Sequence, residues 1–260
     1  MKMQMEDYIR ISPDVMKKNL DNRKSLTEKL VEYYLSSNKK DICIIASGSS
    51  LNGAITAEMF MTNNLKCNVY CVSPTEFINY RMEKMRECNL IVVSQSGCST
   101  NIIQLVEILK KNKMDYFCLT GNKNGDLYTY SDNVIEYGVD NETIGYVTLG
   151  FVTLVEFLIL FANEVALKRR TITEDKYSEN LQNLERAIAT SRELYKESEN
   201  FVKLYYDQIF KMDSAIIVAD GANMGTAREA ALKISETLKI PAVYYESEEY
   251  AHGPNMQLTP

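Results

Sequence analysis

Short apolar runs without alternation, separated by stretches of helical period, set the pattern of this chain. Ile42-Cys43-Ile44-Ile45-Ala46, Asn68 to Val72, Leu90-Ile91-Val92-Val93, Asp115 to Thr120 and Val134-Ile135-Glu136-Tyr137 read as five strands. Runs this short and β-branched fit parallel strands covered on both faces. Between them the period changes: Ile102, Ile103, Val106 and Leu109 recur at helical spacing, with Ser99 or Thr100 placed to cap the helix. Strands alternating with helices across residues 39–167 predict an α/β fold, a parallel sheet with helices on both faces in a flavodoxin-like three-layer order, with right-handed crossovers.

Three further segments flank that unit. Residues 1–38 read as an amphipathic helical arm, with Leu26, Leu30, Tyr33 and Tyr34 on one face. Residues 168–211 are strongly charged and predict a helical linker. From 212 to 260 the alternation restarts with a strand at Ser214 to Ala219, a turn bearing Gly221 and Gly225, a helix from Thr226 to Leu238 and a strand at Ala242 to Tyr245. This restart reads as a diverged repeat, hence as tandem domains, the second incomplete. A complete second unit of ordinary size would need roughly 80 further residues.

Composition removes several classes of function. Net charge is −6, from 35 acidic and 29 basic residues, and no long basic run occurs, so nucleic acid is not an expected partner. The six cysteines lie mostly in or beside apolar runs and read as reduced core residues, and the single histidine, His252, is far from them, so no metal is expected. Ile144 to Leu167 is apolar, but Glu156 and Glu164 interrupt it, which predicts a buried helix and not a membrane span. The charged N-terminus lacks an apolar signal core, which predicts a cytoplasmic location.

Chemistry concentrates in two places. Ser94-Gln95-Ser96-Gly97-Cys98-Ser99-Thr100 joins a buried strand to a helix start, aiming hydroxyls and unpaired N–H groups at one point beyond the strand's carboxyl end. Without the lysine of a nucleotide-binding P-loop, it fits either a site for a monophosphate or an ordinary serine-rich turn between strand and helix with a satisfied cap. Ser47-Gly48-Ser49-Ser50 forms a similar turn after the first strand. Farther on, Glu229, Lys233 and Glu236 fall within about 60° of arc on one helix face. Spacing alone fits either a solvated face carrying a Glu–Lys pair or a cluster for proton transfer. Ala227, Ala231, Ile234 and Leu238 occupy the opposite side and are expected to pack on a sheet.

The Ser94-Gln95-Ser96-Gly97 loop after its buried strand resembles the phosphate loop of the sugar isomerase (SIS) domain family. Glu229-Ala230-Ala231-Leu232-Lys233-Ile234-Ser235-Glu236, followed sixteen residues later by His252-Gly253-Pro254, resembles the isomerase half of the glucosamine-fructose-6-phosphate aminotransferase family. The resemblance implies that Ser50, Ser94, Gln95, Ser96 and Ser99 hold the phosphate of a phosphosugar. It implies Glu236 as the base that moves a proton between C1 and C2, Lys233 at the reacting carbons, Glu229 orienting the lysine or the sugar, and His252 assisting ring opening, in a homodimer from the neighbouring subunit. No cofactor is implied.

Departures temper this. Cys98 stands where the family loop commonly has an acid, Glu142-Thr143-Ile144-Gly145-Tyr146-Val147-Thr148 lacks the family's lysine, and Ser235 replaces the second lysine of the helix motif. No glutaminase domain precedes the arm and no lysine-bearing tail follows, so synthase activity is not expected. The expected activity is aldose-ketose isomerisation of a hexose or amino-sugar 6-phosphate, with deamination or deglycation as variants; the alternative is a sugar-phosphate sensor without turnover.

Overall fold

The computed structural model describes residues 3–258; the outermost two residues at each end of the expected arm and second unit lie outside the described residues. Helices α1 (Met5–Asp21) and α2 (Arg23–Ser36) precede β1 (Ile42–Ile45), α3 (Gly48–Leu65), β2 (Val69–Val72), β3 (Asn89–Ser94), α4 (Thr100–Lys111), β4 (Tyr116–Thr120) and β5 (Val134–Glu136). Next come α5 (Leu149–Lys168), α6 (Glu174–Leu204), β6 (Ala215–Val218), α7 (Asn223–Thr237) and β7 (Ala242–Tyr245). Strands β1 to β5 form one parallel sheet in the order β2-β1-β3-β4-β5, and β6 and β7 form a separate parallel pair.

Alternate residues of the central strands enter two different cores. Ile42, Ile44, Ile91 and Val93 pack with α3 and α5, while Cys43, Ile45, Leu90 and Val92 meet the apolar face of α4. Both faces are covered, which is why these runs show no alternation. The α/β class with a helix-flanked parallel sheet is established. The tandem second unit is not, because residues 215–245 supply two strands and one helix, and that helix packs against α3 of the first sheet.

Two expectations need correction. The apolar helix begins at Leu149 and not at Ile144, because the Glu142 carboxylate accepts hydrogen bonds from the backbone N–H groups of Thr148 (2.8 Å) and Gly150 (2.5 Å) and so fixes the helix start. Leu238 does not pack on a sheet. It lies just past the end of α7 and is half exposed, whereas Ala227 and Ala231 are buried. The charged stretch 168–211 contains α6, whose first half buries Tyr177, Leu184 and Ile188 against the first unit.

Helix α5 carries an ionisable group into the core. Glu156 is 1% exposed, and Asn19 Nδ2 of α1 donates to its Oε2 at 3.1 Å. Burial pushes its pKa from 4.5 up to about 8, although the Asn19 bond lowers it. Between these values the folded state keeps a proton that the unfolded chain has lost. Stability therefore falls as pH rises through that window, by up to about 1.4 kcal/mol per unit. Urea unfolding from pH 5 to 8 should show the decline, and Glu156→Gln should flatten it; an unchanged slope in the variant would assign the decline to other groups.

Candidate functional site

Strand β1 leads through α3 to β2 on one side, and β3 leads through α4 to β4 on the other, so the strand order reverses between β1 and β3. Crevices at such reversals, beyond the carboxyl ends of the strands, are where open α/β sheets bind ligands. Both helix starts meet here: Asn101 Nδ2 of α4 donates to Ser47 Oγ, the residue before α3, at 2.8 Å. Neither Ser47 nor Ser99 caps its helix with its own side chain. The first N–H groups of two helices are thus left for an outside acceptor.

The loop after β3 is held from behind. Gly121 N–H donates to Gln95 O, Asn122 Nδ2 to Ser96 O and Leu127 N–H to Gly97 O, all at 2.9 Å. Gly97 sits at φ +67°, and a Cβ there would lie 3.0 Å from Gly125 Cα, so the turn needs glycine. With its carbonyls occupied, the loop presents hydroxyls and donors. Ser94 Oγ and Ser99 Oγ are 3.1 Å apart, and Ser96 Oγ accepts from Cys98 N–H. Ser50, Ser94 and Gln95 are buried, Ser96 and Ser99 half-buried and Cys98 exposed. Gln95 Nε2 is a buried donor with no partner among the described residues.

The Glu229, Lys233 and Glu236 face of α7 is turned inward, not toward solvent. Asn52 Nδ2, on the second turn of α3, donates to Glu229 Oε2 at 2.9 Å. Lys233 Nζ lies 3.3 Å from Glu229 Oε1 and 2.5 Å from Glu236 Oε2. Only 8% of the Glu229 side chain and 14% of Lys233 are exposed, against 30% of Glu236, which makes Glu236 the carboxylate a ligand can reach. A third carboxylate, Glu142, faces the same lysine. Burial raises its pKa, its two backbone N–H donors and the Lys233 charge lower it, and the Glu229 charge raises it.

Two routes join the loops to this cluster. One runs from the turn before α3 to Asn52 and Glu229. The other runs from Gln95, whose Cγ packs beside Gly150, through the Gly150 N–H to Glu142 and Lys233. His252 is not brought in: it is exposed after a short helix, Ser247–Ala251, and its side chain makes no hydrogen bond or ion pair among the described residues. Asn52 and Glu142 are the residues that reading the sequence missed. Glu142 lay in a segment noticed only for its lack of lysine, and nothing around Asn52 distinguishes it from any polar residue of an amphipathic helix.

A reversing parallel sheet with a serine-rich loop at its switch point defines a class, and residues 35–163 match the profile of the SIS domain; this part of the chain belongs to the SIS domain family. The chain is 27% identical over 267 residues to the isomerizing glutamine–fructose-6-phosphate aminotransferase of Cyanidium caldarium, covering 96% of this chain and 42% of that protein. It spans about two fifths of the length of such curated relatives. Among solved structures, a Clostridium difficile 630 protein described as a candidate phosphosugar isomerase aligns with TM-score 0.90 and 25% identity over 99% of this chain and 72% of its own. The C-terminal domain of glucosamine-fructose-6-phosphate aminotransferase from Francisella tularensis shares the fold at TM-score 0.77 and 23% identity, over 99% of this chain and 73% of its own.

Proposed function

We propose that the chain is a phosphosugar enzyme that moves a proton between C1 and C2 of a hexose or amino-sugar 6-phosphate. The observation that carries this reading is the inward-facing Glu229–Lys233–Glu236 cluster, bonded through Asn52 to the helix that starts at the serine turn. Ser50, Ser94, Gln95, Ser96 and Ser99 take the phosphate, with the two helix starts adding N–H donors. Glu236, the exposed end of the cluster, removes the proton beside the carbonyl or Schiff base. The Lys233 ammonium steadies the negative charge that develops on oxygen, and Glu229 holds the lysine. His252, outside the cluster in one chain, serves ring opening from the neighbouring subunit of a dimer.

A sensor is the second reading: the serine loop and the unpartnered Gln95 amide take a phosphate with no help from the Glu229–Lys233–Glu236 cluster. Incubation with fructose 6-phosphate and fructosamine 6-phosphates in deuterated water separates the two. The enzyme reading expects deuterium beside the carbonyl, followed by NMR. Saturable binding without any exchange supports the sensor and overturns turnover. In either case Ser94→Ala should weaken phosphosugar binding about tenfold, since a hydrogen bond to a charged group contributes roughly 1.5–3 kcal/mol; unchanged affinity would remove the loop from the site.

A further inference from the structure

The first sheet ends on β5, and the outer edge of that strand is open. In a parallel ladder alternate residues turn both backbone groups to the same neighbour. Asn133 C=O accepts from the Cys118 N–H, and the Tyr137 N–H donates to Thr120 C=O. With the register of the two strands, this turns Asn133, Ile135 and Tyr137 to β4 and Val134, Glu136 and Gly138 outward. At Gly138 a side chain stands in for the missing strand: Asn19 Nδ2 donates to the Gly138 carbonyl at 3.0 Å, while Asn19 Oδ1 accepts no hydrogen bond among the described residues. Val134 and Glu136 keep two N–H and two C=O groups unpaired there.

These groups border an open groove of about 1230 Å³ between β5 and the elbow of α1 and α2. Ile11, Val15 and Leu26 line its helix side, and Tyr128 and Val139 its sheet side. Donors and acceptors alternating at strand spacing, beside apolar walls, are matched by an extended backbone whose side chains point to either face in turn. Charges of both signs line the groove: Lys18, Glu28 and Lys29 from the helices, Glu136 and Asp140 from the sheet side. Three carboxylates repel a nucleic acid or an anionic membrane, whereas a peptide of mixed charge is accommodated. A second copy of the chain fits poorly, because its strands arrive in a sheet already covered by helices, and α1 and α2 bar that bulk from β5. We infer that β5 takes an added strand from a partner protein, a short linear segment with apolar side chains at the alternate positions that face α1 and α2. The inference does not rest on the phosphosugar reading.

The test is a selection of heptapeptides from a random phage-displayed library on the full chain, with the enriched peptides then synthesised and titrated by calorimetry. Enriched sequences should carry apolar residues at alternate positions, and in their presence hydrogen exchange over β5 should slow about tenfold. N-methylation of the peptide at alternate residues should weaken binding about tenfold in one phase and less than about twofold in the other, because only one phase turns its N–H groups to β5. Val134→Pro removes an outward N–H, keeps the bonds to β4, is tolerated at a sheet edge and should weaken binding about tenfold. Ile11→Glu, at an exposed helix position, should weaken it as much; this variant and the methylated pair decide the matter if the proline variant does not fold. No enriched peptide, equal effects of the two methylation phases, or unchanged affinity in the folded variants overturns the added strand. Slowed exchange at β6 or β7 in place of β5 assigns the peptide to that pair and overturns it as well. No sugar enters the test, so its failure leaves the phosphosugar reading as it stands.

Discussion

Glu236→Gln is expected to lower the rate of deuterium entry beside the sugar carbonyl by about 10²–10⁴, the range that a positioned general base contributes, while phosphosugar affinity stays within a few-fold. The amide keeps the size of the side chain and can still approach Lys233, but it cannot accept the proton. Of the carboxylates around Lys233, Glu229 is held by Asn52 and Glu142 by two backbone N–H groups. Glu236 alone has its bond to the lysine and a partly open side. Exchange that persists in the variant would transfer the base role to another group; exchange lost together with binding would make Glu236 a ligand contact.

Gly225→Ala should destabilise the protein by about 2 kcal/mol, of the size that overpacking costs, against a helix propensity that favours alanine by about 1 kcal/mol. The sign is the point of the experiment. Gly225 lies in the first turn of α7, and a Cβ there would come within 2.5 Å of the Asn52 carbonyl oxygen and of the Thr56 backbone nitrogen. Both belong to the backbone of α3 and cannot rotate away. Helix α7 must move off, and the Asn52–Glu229 bond stretches with it. Thermal unfolding reads the loss, and weaker phosphosugar exchange should accompany it. A variant more stable than the parent would show that the two helices do not approach so closely.

Much of this architecture could be read from the residues in order. The first five strands announce themselves because continuous β-branched runs have few alternatives once both faces must be covered, and the serine loop because a strand followed at once by a helix leaves few other turns. What could not be read was which surface of one element would meet which surface of another. The spacing of Glu229, Lys233 and Glu236 gives an arc but not its neighbour, and only the arrival of α3 turns a face that could have been solvated into a buried cluster. Helix α5 shows the same gap: the apolar run from Ile144 continues smoothly into it, yet the start is decided by a carboxylate at Glu142 bonding backwards from an irregular segment.

Helix α7 shares no sheet with α3; side chains and one close backbone approach hold it there. The proposed base stands on α7 and the proposed phosphate turn at the start of α3. A phosphosugar that reaches both would tie the two helices together, and by reciprocity whatever seats α7 more firmly would tighten the sugar by the same factor. Selectivity would thus be exercised in how firmly the cluster is assembled, before any proton moves.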